Sequence, residues 1–247
     1  MEASENLPIG RKDITSNALK LMAITLMLWD HIVTGWLPQN TLLYFFLHIP
    51  GRVVAPIMCY MIAEGYHYTH DLKKYLGKLL LFAIPSHFLY LWYFYPRLWA
   101  NPLNWWRATS VLWSLALGLA ALAAVKKTNW HWGLRLAAVL ACCFLAMTAD
   151  WNFIAVLWIV NFGVFRENRK MQMIGFSLVG LLFYILPTVY RDGAAGFSSL
   201  GIFLAIPLLA CYHGRRGRKS KSLQYAFYVF YPLHLFILAL LKRVLLV

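Results

Sequence analysis

An all-α polytopic membrane protein, with about nine transmembrane helices and a cytoplasmic N-terminus, is the fold class this sequence predicts. Three observations carry the prediction. Hydrophobic residues fill 61% of the 247 positions and charged residues only 13%, where a soluble domain carries about 25% charge. So little charge cannot coat a water-exposed surface, which excludes a soluble globular fold and a disordered chain. The mean hydropathy of +0.60 agrees. Apolar runs of membrane-spanning length recur between short charge clusters, and those clusters alternate between strongly and weakly basic. At about 20 residues per spanning helix, nine helices use about 180 positions. Residues 1–247 therefore read as one transmembrane domain.

The runs, in order, cover about 17–36, 46–66, 75–95, 108–125, 133–149, 151–165, 171–190, 195–212 and 222–241. A polar segment of mixed charge precedes the first, and no small-residue cleavage site follows it, so no cleavable signal peptide is expected. Pro50 and Pro56 interrupt the second. Only Thr148, Ala149 and Asp150 separate the fifth from the sixth, and Pro232 falls within the ninth. No internal repeat and no low-complexity segment is visible.

Charge alternation tests the count, because loops on the cytoplasmic side carry an excess of Lys and Arg. With the N-terminus inside, the cytoplasmic clusters are Arg11/Lys12/Lys20, Lys73/Lys74/Lys78, Lys126/Lys127/Arg135, Arg166/Arg169/Lys170 and Arg215/Arg216/Arg218/Lys219/Lys221. They hold 17 of the 23 basic residues. Arg52, Arg97, Arg107, Arg191, Lys242 and Arg243 are the 6 on the other side. A missed helix would scramble this split. Trp36, Trp105, Trp106, Trp130 and Trp132 fall near the boundaries, as an aromatic belt requires.

The net charge of +14 would suggest nucleic acid in a soluble protein. Here the basic residues read as topology signals and contacts to lipid phosphates, with no nucleic-acid partner. Cys59, Cys142, Cys143 and Cys211 lie in or beside apolar segments and imply buried thiols without a disulfide framework.

Ionisable side chains inside the bilayer cost roughly 3 kcal/mol or more, so they face protein and usually serve function. Asp30 and His31 follow Lys20 by 10 and 11 residues, which puts them about 15–16 Å deep at 1.5 Å per residue. Arg52, the pair Ser86–His87, and Tyr231, Pro232 and His234 fall at mid-depth or in the outer half under the same orientation. Segments far apart in sequence thus converge on one level. The bland readings differ by residue. A lone intramembrane histidine often serves as an interhelical hydrogen bonder, Arg52 can snorkel, and tyrosines at helical spacing are more often packing. Two adjacent ionisable groups, Asp30 and His31, are hardest to dismiss. Glu64, His67, Tyr68 and Asp71 share a face at the cytoplasmic end of the second helix where that helix continues to Asp71, with Glu64, His67 and Asp71 as possible metal ligands. A metal is conceivable there, but a polar rim at a cofactor entrance fits better, and no metal is expected.

The residues also carry a resemblance. Leu19–Ile24 leading into Asp30–His31–Ile32, then Gly51–Arg52, Pro56, Ile62–Tyr66 and Lys74–Leu76 look like the TraX family. Phe82–Ser86 and the terminal Tyr231–Pro232–Leu233–His234–Leu235 extend the match, while residues 95–220 match mainly in hydropathy. The resemblance implies a multi-pass protein of the bacterial inner membrane that acetylates the N-terminus of a pilin. The first helix is also similar to that of acyltransferase-3 membrane proteins, which carry an Arg-x10-His pattern. This chain has Lys20 in the arginine position, keeping a point charge without a bidentate phosphate clamp.

Acetyl-CoA as co-substrate fits these residues. Its phosphates suit the basic rim of Lys20, Lys73 and Lys74 with the Arg215–Lys221 loop, with Glu64 on the same cofactor-binding rim, while the pantetheine arm threads inward. An acceptor, protein or small molecule, must lose a proton from its amine or hydroxyl. His31 suits that task, since histidine titrates near neutrality. Asp30 can support it, although adjacent helical positions point about 100° apart, so Asp30 can instead hold Arg52 or a water. Arg52, Tyr231 or His234 could donate to the oxyanion. Two other classes compete. A proton-coupled transporter would use the same polar groups as a relay, and a non-enzymatic membrane assembly factor would need apolar surface alone.

Overall fold

The computed structural model describes residues 14–215, 217 and 221–245, so Arg11, Lys12, Arg216, Arg218 and Lys219 of the basic clusters lie outside the described residues. Among the described residues there are helices and no strands. Polar caps start several of them. Thr15 accepts from the Ala18 amide at the head of α1 (Ser16–Trp36), and Thr41 from the Tyr44 amide at the head of α2 (Leu42–His48). A 3-10 turn, Pro50–Val53, joins α2 to α3 (Val54–Tyr68), because a proline lacks the amide that would continue the α ladder. Asp71 accepts from the Lys74 amide, 2.9 Å, and opens α4 (Leu72–Phe94). That bond, with the Lys74 ammonium beside it, holds the Asp71 carboxyl below its ordinary range.

The later elements are α5 (Val111–Val125), α6 (Trp132–Leu145), α7 (Asn152–Val164), α8 (Arg169–Gly180), α9 (Leu186–Asp192), α10 (Ala205–Ala210) and α11 (Lys221–Leu245). A single π turn, Leu181–Ile185, links α8 to α9. All nine apolar runs expected from the sequence are largely helical. Ser16–Trp36, Leu42–Tyr68, Arg169–Ala210 and Tyr225–Leu245 are long and apolar enough to cross a membrane, while Val111–Val125, Trp132–Leu145 and Asn152–Val164 are shorter. The stretch Arg169–Ala210 is not one rod. The chain reverses at Gly193 (φ +59°), and Gly196 then lies against the Thr188–Val189 backbone, with no room for a Cβ.

Packing follows small residues. Gly118 of α5 meets Ile159 of α7, and Gly163 of α7 meets Leu122 of α5, so the two backbones approach closely. Trp158, Phe162 and Phe176 fill the centre beside them. By contrast α6 buries none of its residues and exposes Leu134, Leu140 and Phe144. Such a face is costly in water and neutral in hydrocarbon. All four cysteines are free, and Cys59 is buried.

Contacts fix two ends of the bundle. At one, the Ser16 amide donates to the Arg215 carbonyl (2.8 Å), and the Ser16 hydroxyl lies 3.5 Å from the Met61 sulfur. At the other, Trp29 Nε1 donates to the Leu47 carbonyl, 2.8 Å, and Tyr93 Oη to the His31 carbonyl, 2.7 Å. Helices α1, α4 and α11 therefore run in one direction and α3 in the opposite one. Lys20 over the Phe227 ring and Lys78 over the Tyr225 ring bring the head of α11 to the first end.

Candidate functional site

His31 lies five residues before the end of α1, about 8 Å from it along the axis. It is buried where α1, α4 and α11 meet, with Phe94 edge-on at 5.1 Å between ring centroids. Its Nδ1 is 2.8 Å from Nε2 of His234, and the two rings stack at 4.9 Å. The other nitrogen of His234, Nδ1, is 2.8 Å from the Phe230 carbonyl one turn earlier. A carbonyl only accepts, so Nδ1 of His234 carries the proton. Its Nε2 in the neutral ring is then an acceptor, and His31 donates through Nδ1–H. By elimination Nε2 of His31 holds a bare lone pair. Tyr231, 6.4 Å from His31 and 5.5 Å from His234 between centroids, completes this cluster.

Asp30 points elsewhere, as adjacent helical positions do. Its carboxylate lies 2.7 Å from Nδ1 of His48, the last residue of α2. Gly51 makes the arrangement possible, since a Cβ there would occupy the position of the Asp30 carboxylate. Arg52 is within electrostatic reach of Asp30. Its guanidinium covers the Tyr184 ring at 5.6 Å, and its buried Nε has no hydrogen-bond partner among the described residues. Tyr184 lies on the π turn, a deformation that often marks functional sites. Asp150 also comes within electrostatic reach of Asp30 and Arg52.

Sequence reasoning named Asp30, His31, Arg52, Tyr231 and His234, and the fold brings all five to one end of the bundle. His234 has both nitrogens engaged, which fits it to orient His31 rather than to donate elsewhere. His87 joins no part of this cluster; its ring contact is with Phe88 on its own helix. His48, Tyr184 and Asp150 were missed. His48 sits beside Pro50 at the rim of an apolar run, where a histidine reads as boundary. Asp150 reads as part of a tight loop. The run Asp30-x17-His48 has no helical period to flag it.

The expected cofactor rim divides. Lys20 is half-buried over Phe227. Lys73 and Lys74 are exposed at the head of α4, and Lys74 pairs with Asp71 at 3.0 Å. Glu64 is buried and bound to Arg166 at 2.8 Å, with Tyr212 Oη 3.5 Å from its other oxygen. Arg166 also donates to Tyr68 Oη, 3.2 Å, while Arg169 donates to the Ala210 and Tyr212 carbonyls. This cluster ties the ends of α3, α7, α8 and α10 together. Glu64 lies 13 residues beyond Gly51 along the second run, about 20 Å from the place where Gly51 meets the Asp30 carboxylate. Glu64, His67 and Asp71 do not share the helical face expected of them, because α3 ends at Tyr68 and Asp71 caps α4, and Glu64 and Asp71 are occupied separately.

The description "TraX protein" belongs to the family model that matches residues 15–242. The chain belongs to the TraX family. The probable fimbrial assembly protein FimC, serogroup H1, of Dichelobacter nodosus is 30% identical over 241 residues, covering 93% of this chain and 96% of that protein. No solved structure matches. The TraX match includes His31, Asp30, His48, Arg52, Tyr231 and His234 and also the middle of the chain. As a TraX protein with four helical stretches among the described residues long and apolar enough to cross a bilayer, the chain is a helical membrane protein.

Proposed function

We propose that the chain is a multi-pass membrane acetyltransferase, using cytoplasmic acetyl-CoA and an amine or hydroxyl acceptor at the end of the bundle that holds His31. The observation that carries this reading is the His31–His234 hydrogen bond, with His234 fixed by the Phe230 carbonyl. It leaves Nε2 of His31 as a base oriented by a buried partner, the logic of a base with an orienting group behind it. In the reaction Nε2 takes the acceptor's proton as its nitrogen or oxygen attacks the thioester carbonyl. A C–N or C–O bond forms, the C–S bond breaks, and the thiolate leaves with a proton from the imidazolium. His234 Nε2 accepts from the charged His31 as it does from the neutral one, so no rearrangement is needed. Arg52 and Tyr231 supply donors for the oxyanion. The unpartnered Arg52 Nε is a buried donor with hydrogen-bonding capacity to give.

Lys20 and His31 are separated along α1 by about 16 Å, a span an extended pantetheine arm covers. Lys20, Lys73 and Lys74 hold the phosphates in this reading, with Arg215 nearby and the rest of that loop contributing charge. Nine spans, with the N-terminus in the cytoplasm of a bacterial inner membrane, follow from the basic residue split. The relative named as a fimbrial assembly protein supports a pilus-related acceptor. It supports equally a non-enzymatic assembly factor, which would have no use for a histidine pair. Thiol release from acetyl-CoA by purified protein, read with a chromogenic thiol reagent and a candidate pilin peptide, separates the two. Release that depends on His31 is the expected result. No release and no acetyl-CoA binding would overturn the proposal.

A further inference from the structure

A cleft of about 800 Å³ opens at the same end of the bundle, walled by Tyr90 and Tyr95, floored by Asp150 and Trp151, and rimmed by Arg107 and Arg191. None of these residues belongs to the histidine pair or the basic rim, yet the cleft touches the site by two short paths. Tyr90 packs on Phe94 at 5.1 Å, and Phe94 lies edge-on to His31 at 5.1 Å. Trp151 packs on Tyr184 at 4.7 Å, and Tyr184 carries the Arg52 guanidinium. Asp150, on the floor, is within electrostatic reach of Arg52 and of Tyr231.

The floor is built at a conformational cost. Trp151 and Asn152 both have positive φ, 60° and 30°, which side chains other than glycine rarely adopt. Surrounding bonds hold them there. The Asp150 amide donates to Thr109 and the Thr109 amide to Thr148, at 2.9 and 2.8 Å, while the Ser114 hydroxyl donates to the Asp150 carbonyl at 2.9 Å. Strain of this kind persists where the fold over-determines it, and such positions cluster at ligand sites.

The charges on the cleft are separated. Asp150 has no cation within ion-pair distance, and Arg107 has no carboxylate, among the described residues. Arg191 is already held by its neighbour Asp192 at 2.8 Å. Among the described residues the cleft thus offers at its floor a carboxylate with no cation in ion-pair contact, Arg52 being within electrostatic reach only, and at its rim a guanidinium with no carboxylate in ion-pair contact, between aromatic walls. We propose that it is the acceptor site, built for the amino-terminal stretch of a peptide that carries an acidic residue. The ammonium enters toward Asp150, the acidic side chain meets Arg107, and the intervening residue packs on Tyr90 and Tyr95. This deepens the transferase reading and rests on it, but binding to the cleft does not require transfer.

The test is fluorescence anisotropy with purified protein in detergent at low salt and without acetyl-CoA. The probe is a short alanine-rich peptide with a free amino terminus, two glutamates and a C-terminal fluorophore. Controls replace the glutamates by glutamine or acetylate the amino terminus. Each control is expected to bind about tenfold more weakly or worse, the loss of one charge-assisted contact. Arg107→Ala should weaken the glutamate probe by a similar factor and leave the glutamine probe unchanged, so that the two bind alike. Asp150→Asn should abolish the preference for the free amine. Arg107 is exposed, so its variant folds even if the Asp150 turn does not tolerate change. No binding by wild type, or a glutamate preference that survives Arg107→Ala, overturns the proposal. A peptide that binds as described but is not acetylated when acetyl-CoA is added keeps the cleft and removes the transferase reading instead.

Discussion

Nδ1 of His31 and Nε2 of His234 are 2.8 Å apart, although 203 residues separate them in the chain. The pair joins the first helix to the last. Because the Phe230 carbonyl claims the other nitrogen of His234, the direction of the shared hydrogen bond is set, and Nε2 of His31 is left as the acceptor. A single histidine in a helix has two tautomers to choose from; this one has the choice made for it.

His31→Ala is therefore expected to keep membrane insertion, since an apolar group replaces an expensive polar one, and to lose at least about 10²–10⁴-fold in transfer. His234→Ala should lose less, about tenfold to a hundredfold, the value of one hydrogen bond to a charged group. Tyr231→Phe removes a candidate oxyanion donor without touching the pair. Single-turnover acetyl transfer at matched expression is the measurement. Wild-type turnover in His31→Ala would remove the central assignment.

Asp30 gives a separate prediction. Its partner is His48 rather than His31, so Asp30→Asn should lower the rate while leaving residual activity. His48→Ala leaves a carboxylate deprived of its 2.7 Å contact, and should cost about 1–3 kcal/mol of stability. Gly51→Ala offers a cleaner break, because the new methyl must displace the Asp30 carboxylate while both ionisable residues remain. Thermal unfolding in detergent should fall for both variants. An unchanged midpoint for Gly51→Ala would mean that the Asp30–His48 contact carries no stability.

Hydrophobic runs and basic clusters made the helical architecture legible, because hydropathy is a property of single residues summed over a window. The cost of burying charge made Asp30, His31 and Arg52 legible as well. Partnerships were not. Asp30 with His48 spans two helices and a proline break, and nothing in either local sequence specifies which side chain fills the space above Gly51. Glu64 shows the opposite limit. Its expected helical face is cut short because α3 ends at Tyr68 and Asp71 caps α4, and Arg166 arrives from a segment 102 residues away and converts a rim position into a structural tie. The break before Gly193 was legible, because Arg191 and Asp192 separate the apolar runs 171–190 and 195–212, but the positive φ by which Gly193 turns the chain back is a backbone property that hydropathy does not register.

Glu64 should behave accordingly. Glu64→Gln keeps the shape and removes the charge that holds Arg166. A loss of about 1–3 kcal/mol is expected, with the effect largely absent when Arg166 has already been replaced by Met. The apparent constant for acetyl-CoA should move little. A large rise in that constant with unchanged thermal stability would return Glu64 to the cofactor rim.

Lys20 is the residue whose loss should be felt by the coenzyme. It is half-buried on the flank of α1, in line with His31 along the same helix. A contact from a partly buried ammonium to phosphate is worth about 1.5–3 kcal/mol. Lys20→Ala should raise the apparent constant for acetyl-CoA about tenfold or more, while dephospho-CoA thioesters lose less from the change. An unchanged constant would place the coenzyme elsewhere.

Orientation supplies the last prediction. Lys20, Lys78, Arg166 and Arg169 gather at the end of the bundle that holds Glu64 and Tyr212, while Arg52 lies at the end that holds His31. Lys242 and Arg243 sit over the Tyr93 and Trp92 rings at that second end. Basic residues favour the cytoplasmic side and set orientation, so the Glu64 end is expected inside, and the direction shared by α1, α4 and α11 carries the C-terminus outside. A phosphatase fusion after Val247 should be active and one at Lys127 inactive, with a cytoplasm-dependent reporter giving the reverse. Lys219 lies outside the described residues but belongs to the most basic loop, and a fusion there should report the cytoplasm. An inactive phosphatase after Val247 would mean an even number of crossings. It would also place the histidine pair and its cleft on the cytoplasmic side, so the proposed acceptor would have to be sought there.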